Sequence, residues 1–150
     1  MKTGEEHFQD YLDYLEKKQM QGLGLSLMAS AFSNYAPAQA ILGRYHLLGD
    51  VFPRDLVNAL KWLEKAAEQD NASAMTALAA MYMFGDGVKV TGKKAVELLT
   101  RAIELGDDEA LFVRGVCSEK GIGVAKDPED AKIWYAKAAE KGITKSALMA

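Results

Sequence analysis

Three glycines, Gly49, Gly85 and Gly121, stand 36 residues apart (85 − 49 = 36; 121 − 85 = 36). The same interval separates Ala38, Ala74 and Ala110; Ala59, Ala95 and Ala131; Ala66, Ala102 and Ala138; and Glu68, Glu104 and Glu140. No gap is needed to align the copies. A fixed period in this range is the mark of a stacked repeat. Each unit is one supersecondary motif that cannot bury its apolar face alone, so neighbours must complete it.

Each copy divides into two helical halves. In the first half, Ala74, Leu78, Met81 and Tyr82 fall at i, i+4, i+7 and i+8, one face of a helix. Ala38, Leu42, Tyr45 and His46 repeat the set in the copy before. The 36-spaced glycine then ends the helix, because a residue without a β-carbon enters the left-handed cap conformation without strain. The apolar residue after the turn (Phe52, Val88 or Val124) is expected to tuck back between the helices.

The second half opens at Asp55, Thr91 or Asp127, whose side-chain oxygens are suited to accept from the unpaired N–H groups of a first turn. Its inward set is Ala59, Trp62, Leu63, Ala66 and Ala67. It recurs as Ala95, Leu98, Leu99, Ala102 and Ile103, and as Ala131, Trp134, Tyr135, Ala138 and Ala139. The alanines let helices approach closely, and Trp62, Leu98 and Trp134 are expected to fill the space between repeats. Gly106 and Gly142 end this helix, with Asp70 at the same point in the first copy.

The pattern A-x3-L-G-x2-Y-x2-G-x-G-V, followed by D-x3-A-x2-W-Y-x-K-A-A-E-x-G, resembles the Sel-one-like repeat family, a relative of the tetratricopeptide repeats. The third copy carries Asp127, Ala131, Trp134, Tyr135, Lys137, Ala138, Ala139, Glu140 and Gly142 of it, and the first carries Leu42-Gly43, Trp62 and Lys65-Ala66-Ala67-Glu68. Departures are Arg114 at the position of Leu42 and Leu78, Asp50-Val51 in the first turn, and Thr91-Gly92 at the second start. The resemblance implies an all-α fold, a right-handed α-α superhelix (solenoid) of antiparallel helix pairs in 36-residue repeats. The expected organisation is a single solenoid domain over residues 1–150. Residues 1–36 form an atypical N-terminal capping pair, 37–72, 73–108 and 109–145 are repeats, and 146–150 begin an incomplete one.

The capping pair is read from its own residues. Phe8, Tyr11, Leu12 and Leu15 lie at helical spacing among acidic residues, which predicts an amphipathic helix over 4–20. One period before the first full copy, Leu63 maps to Leu27, Ala67 to Ala31 and Asp70 to Asn34, so residues 23–34 read as a degenerate second half ending at an asparagine that tolerates the left-handed position.

Catalytic chemistry has no visible constellation. His7 and His46 lie in different helices without an acidic partner at metal spacing, and His46, at the position of Tyr82, reads as a packing histidine with a satisfied ring. Cys117, at the position of Tyr45 and Met81, reads as a small core residue. The Gly85-Asp86-Gly87 and Gly121-Ile122-Gly123 turns follow helices rather than strands and precede no lysine–serine pair, so they are weak phosphate loops. No catalytic residue, metal site or cofactor is expected, and the chain reads as a non-enzyme.

Charge narrows the partner. A formal net charge of −3 leaves no net-basic footprint for nucleic acid, and no apolar run reaches membrane-spanning length. The acidic start MKTGEEHFQDY is not a secretory signal, and one cysteine fits a reducing compartment, so the chain reads as cytoplasmic. What remains is a protein partner. In stacked helix pairs the first helices line the concave side. The residues beside their core stripe are Ile41, Arg44 and Leu48; Ser73, Ala77, Ala80 and Phe84; and Glu109, Val113, Val116 and Lys120. This predicts a non-catalytic protein–protein interaction module, an adaptor or scaffold, holding a protein or amphipathic segment on an apolar concave face. Relatives often place asparagine where Ile41, Ala77 and Val113 stand, so an apolar helix or folded surface fits better than a polar peptide backbone.

The resemblance carries two alternatives. Small proteins like this family serve as bacterial immunity or regulatory partners that neutralise a toxin or effector enzyme. Cysteine-rich relatives linked to β-lactam binding suggest a hydrolase, but they pair cysteines in each repeat and this chain has Cys117 alone. A homodimer through the C-terminal end, covered by Leu148 and Met149, is a further expectation.

Overall fold

A computed structural model describes residues 1–17 and 22–144 of the chain. The expected fourth repeat start at 146–150, and dimerisation through Leu148 and Met149, lie outside the described residues. Among those residues the secondary structure is entirely helical: α1 (Gly4–Glu16), α2 (Leu23–Phe32), α3 (Ala36–Leu48), α4 (Leu56–Glu68), α5 (Ala72–Phe84), α6 (Gly92–Glu104), α7 (Asp108–Lys120) and α8 (Pro128–Glu140). They fall into two compact units, Met1–Asn71 and Ala72–Ala150. In the first, α1 packs on α2, α2 on α3 and α3 on α4; in the second, α5 packs on α6, α6 on α7, and α7 on both α8 and α5.

The sequence period is a period of backbone conformation. Gly49, Gly85 and Gly121 cap the first helices at φ 75°, 74° and 72°. After the second helices, Asn34, Asp70, Gly106 and Gly142 stand in register at φ 63°, 60°, 90° and 80°. The loops repeat as well. The N–H groups of Asp55, Thr91 and Asp127 donate to the carbonyls of His46, Tyr82 and Ser118 at 2.9, 3.0 and 2.8 Å. Each bond closes the turn between a first helix and its second, using a carbonyl that the helix end leaves unpaired.

Asp55 accepts from the Asn58 N–H at 3.0 Å. Asp127 accepts from those of Glu129 and Asp130, each at 3.1 Å. Thr91 departs from expectation: it makes no cap to the α6 turn. Its hydroxyl donates backward to the Lys89 carbonyl at 3.2 Å. A hydroxyl has one oxygen and a proton to place, whereas a carboxylate has two acceptors and none.

In the first unit the core gathers Tyr11, Leu23, Leu27, Ala31, Ala38, Leu42 and Trp62, with Phe8, Tyr35, Ile41 and Phe52 packed against it. The Tyr11 and Tyr45 hydroxyls share a 2.6 Å hydrogen bond. Thr3 and Glu6 start α1 with a reciprocal capping box. Phe52 tucks in as expected, 6.1 Å from the Tyr45 ring and 5.4 Å from that of His46. In the second unit Met75, Leu78, Met81, Met83, Leu99 and Cys117 are buried. Trp134 differs from Trp62: it is only partly buried, and its indole N–H donates to Asp130 at 3.2 Å.

Candidate protein-binding faces

The eleven residues singled out on the first helices divide by unit. On α3, Ile41 packs against the N-terminal core, Arg44 is partly buried, and Leu48, at the helix end, is 65% exposed. On α5, Ala77 is buried, Ser73 and Ala80 are partly covered, and Phe84 is 55% exposed. On α7, Glu109, Val113 and Val116 are partly buried and Lys120 is exposed. Because α5 and α7 are neighbours, the fold brings the last two sets onto adjacent helices.

The methionines of α5 are core residues: Met75, Met81 and Met83 are 6%, 0% and 4% exposed, which leaves Phe84 as the outward apolar side chain at that helix end. Phe84 and Leu48 share one register (84 − 48 = 36), and Lys120 is the third member. The character of this position therefore changes along the chain from apolar to cationic.

The candidate chemical groups are accounted for by packing. Cys117 is fully buried, its Sγ 3.8 Å from the Met83 Sδ, and burial pushes its thiol pKa up, away from the reactive thiolate. His46 stacks on Phe52, but its ring is not satisfied as expected: Nδ1 is buried without a hydrogen-bond partner. The ring lies against an aromatic face, which offers no acceptor in its plane. Among the described residues no three His, Cys, Asp or Glu side chains gather in a way that could hold a metal ion. Nor is any helix among them long and apolar enough to cross a membrane.

Arg114, the residue that breaks the leucine pattern, nucleates a polar network in place of a core contact. Its guanidinium donates to the Ser118 hydroxyl at 2.7 Å, lies 4.0 Å from the Asp130 carboxylate and covers the Trp134 ring at 5.1 Å. Ser118 in turn donates to Asp130 at 2.6 Å. That bond, with those from the Trp134 indole and the nearby Arg114 and Lys137 charges, holds the Asp130 carboxyl below its usual range.

Sequence reasoning missed one surface. Leu25, Met28 and Phe32 project from α2 at 76%, 39% and 67% exposure. The signal was available in the repeat register, since the matching residues of α4 are Lys61, Glu64 and Glu68.

Three stretches, residues 36–71, 72–107 and 108–143, match the Sel1 repeat family model. The chain is 37% identical over 123 residues to "Chitin synthase regulatory factor 3" of Schizosaccharomyces pombe, a match spanning 78% of this chain and 13% of that protein. It also resembles the crystal structure of a protective antigen of uropathogenic Escherichia coli displaying an SLR fold. There the TM-score is 0.80 at 30% identity, over 93% of this chain and 31% of that one. A Sel1 repeat protein from Oxalobacter formigenes superposes with a TM-score of 0.81 at 29% identity, over 94% of this chain and 59% of the other. The helical content, the period and these likenesses agree on an all-α repeat solenoid.

Proposed function

Because the chain belongs to the Sel1 repeat family, whose repeats generally act as protein-interaction modules, we propose that it is a non-catalytic adaptor or regulator. Its partner would be an apolar helix or a folded protein surface, held on the first helices, α5 and α7 in the second unit and α3 in the first. The observation that carries this reading is Phe84. It ends a helix without a charged residue, its methionine neighbours are buried, and yet it is 55% exposed. An exposed aromatic beside an otherwise packed helix end is the kind of anchor on which interface energy concentrates. In the first unit Leu48 is exposed at the same register of α3, with Arg44 one turn earlier on that helix.

A regulatory rather than structural role is supported by the S. pombe relative, whose name makes it a regulator of an enzyme. The test is affinity capture from the native host with wild-type protein and with Arg44→Glu combined with Phe84→Ala. The double change should abolish capture of the specific partner while the helical circular-dichroism spectrum stays intact. Capture that survives it would remove the first-helix face as the binding surface.

A further inference from the structure

The second surface lies on α2, and it does not depend on the first-helix reading. The other second helices define what their outer positions ordinarily carry. At the register of Leu25 stand Lys61, Glu97 and Ile133; at that of Met28, Glu64, Thr100 and Ala136; at that of Phe32, Glu68, Glu104 and Glu140, so that α4 and α6 are polar at all three positions and α8 carries one exposed apolar residue. A solvated face accounts for those charges. In α2 the same positions are leucine, methionine and phenylalanine, and no residue between Leu23 and Phe32 is charged. The inner face of α2 is already satisfied, with Leu23, Leu27, Ser30 and Ala31 buried. The outer stripe is therefore surplus to the fold. A helix apolar on both faces is normally covered on both.

Two lysines of α4 lie beside the Phe32 end of this stripe, with Glu64 and Glu68 exposed on the same helix. The Phe32 ring packs edge-on against Trp62 at 4.9 Å, and the Lys61 and Lys65 ammonium groups lie over the same indole at 5.3 and 5.6 Å. Phe32, anchored on Trp62 but still 67% exposed, is placed to insert into a partner. The two lysines would meet carboxylates flanking whatever covers it.

We infer that the outer face of α2, with Lys61 and Lys65 of α4, is a docking site for an acidic amphipathic helix of a partner protein. Apolar residues of that helix, at i, i+3 or i+4 and i+7, cover Leu25, Met28 and Phe32, and carboxylates beside them pair with the two lysines. Burial of the stripe supplies affinity, and the charges fix orientation and on-rate.

The test is selection from a random peptide library displayed on phage against the full-length protein, with recovered peptides measured by fluorescence anisotropy. Recovered sequences should share the helical apolar spacing and be enriched in Asp and Glu. They should lose binding to Leu25→Lys/Met28→Glu/Phe32→Glu, which installs the side chains α4 carries in register. They should bind Lys61→Glu/Lys65→Glu roughly tenfold more weakly, and Arg44→Glu/Phe84→Ala as tightly as wild type. Leu25→Lys alone, at a 76% exposed position, serves if the triple variant loses helicity. The inference is overturned if recovered peptides bind the α2 variants like wild type, are basic, or lack the helical stripe. It is equally overturned if no peptide is recovered and the stripe instead mediates self-association in sedimentation or binding to phosphatidylglycerol vesicles.

Discussion

Gly43 faces Leu63 so closely that a β-carbon on the glycine would stand 2.7 Å from the leucine Cγ. This contact sets the approach of α3 to α4. Leu63 is fully buried, so it cannot swing out into solvent to make room. Gly43→Ala should therefore destabilise the protein by about 1–3 kcal/mol, the usual cost of overpacking, read as a lower urea midpoint. Gly115→Ala should cost less, because the Tyr135 ring it would meet at 2.6 Å is only partly buried and can turn.

Gly92 opens α6 at the position held by Leu56 in α4 and Pro128 in α8. A β-carbon there would lie 2.5 Å from the backbone nitrogen of Gly123, and backbone cannot swing aside as a side chain can. Gly92→Ala should lower the thermal midpoint sharply. Gly106→Asn should be almost neutral, since nothing lies within 4 Å of its β-position and Asn34 holds the same left-handed conformation in register.

Trp62→Ala and Trp134→Ala should separate two residues that the repeat pattern treats as equivalent. Trp62 is 4% exposed and sits in the N-terminal core, so its truncation should cost about 3–5 kcal/mol. Trp134 is partly exposed and should cost less, measured by chemical denaturation of each variant.

Two carboxylates contribute to the acid limb of stability. Asp55 is held below its usual pKa of 3.8 by hydrogen bonds from the Asn58 backbone and side chain, and Asp130 below the same value chiefly by Ser118. Both pKa values are lower in the folded state. Their stabilisation is thus complete above the unfolded pKa and is lost as pH falls through the folded one, below about pH 4. Asp55→Asn and Asp130→Asn should each weaken the protein at neutral pH and flatten the fall of the urea midpoint on acidification.

Cys117 should resist thiol reagents. It is fully buried with a raised pKa, so labelling by a disulfide reagent should be at least roughly a hundredfold slower in the native protein than in denaturant. A rate near that of a free thiol would contradict the core assignment.

The N-terminal pair shows how far the pattern reads. Mapping Asp70 back one period marks Asn34 as the end of a degenerate second helix, and the backbone turns left-handed there at φ 63°. The period also places the glycine caps and most inward alanines correctly, because each depends on a local conformation or on the absence of side-chain bulk, but Ala139, expected inward, is exposed and Ala67 is only partly buried. It does not distinguish Thr91 from Asp55 and Asp127 as a cap, Trp134 from Trp62 in burial, or Ile41 from Leu48 as exposed surface.

The sequence by itself determined the repeat: its period, the capped ends of the repeat helices and most of the face each turns inward, while the first helix, expected over 4–20, closes at Glu16. These follow from spacing, from residues that tolerate φ > 0, and from small side chains recurring at fixed points. Tertiary structure alone decided the surfaces. Whether Phe84 is core or anchor depends on which neighbouring helix covers it, and Met81 and Met83 on the same helix are covered while Phe84 is not. The apolar stripe of α2 is equally a tertiary fact. Leu25, Met28 and Phe32 look like core residues in isolation, and stand out only once Leu23, Leu27 and Ala31 are seen to occupy the inside of the helix.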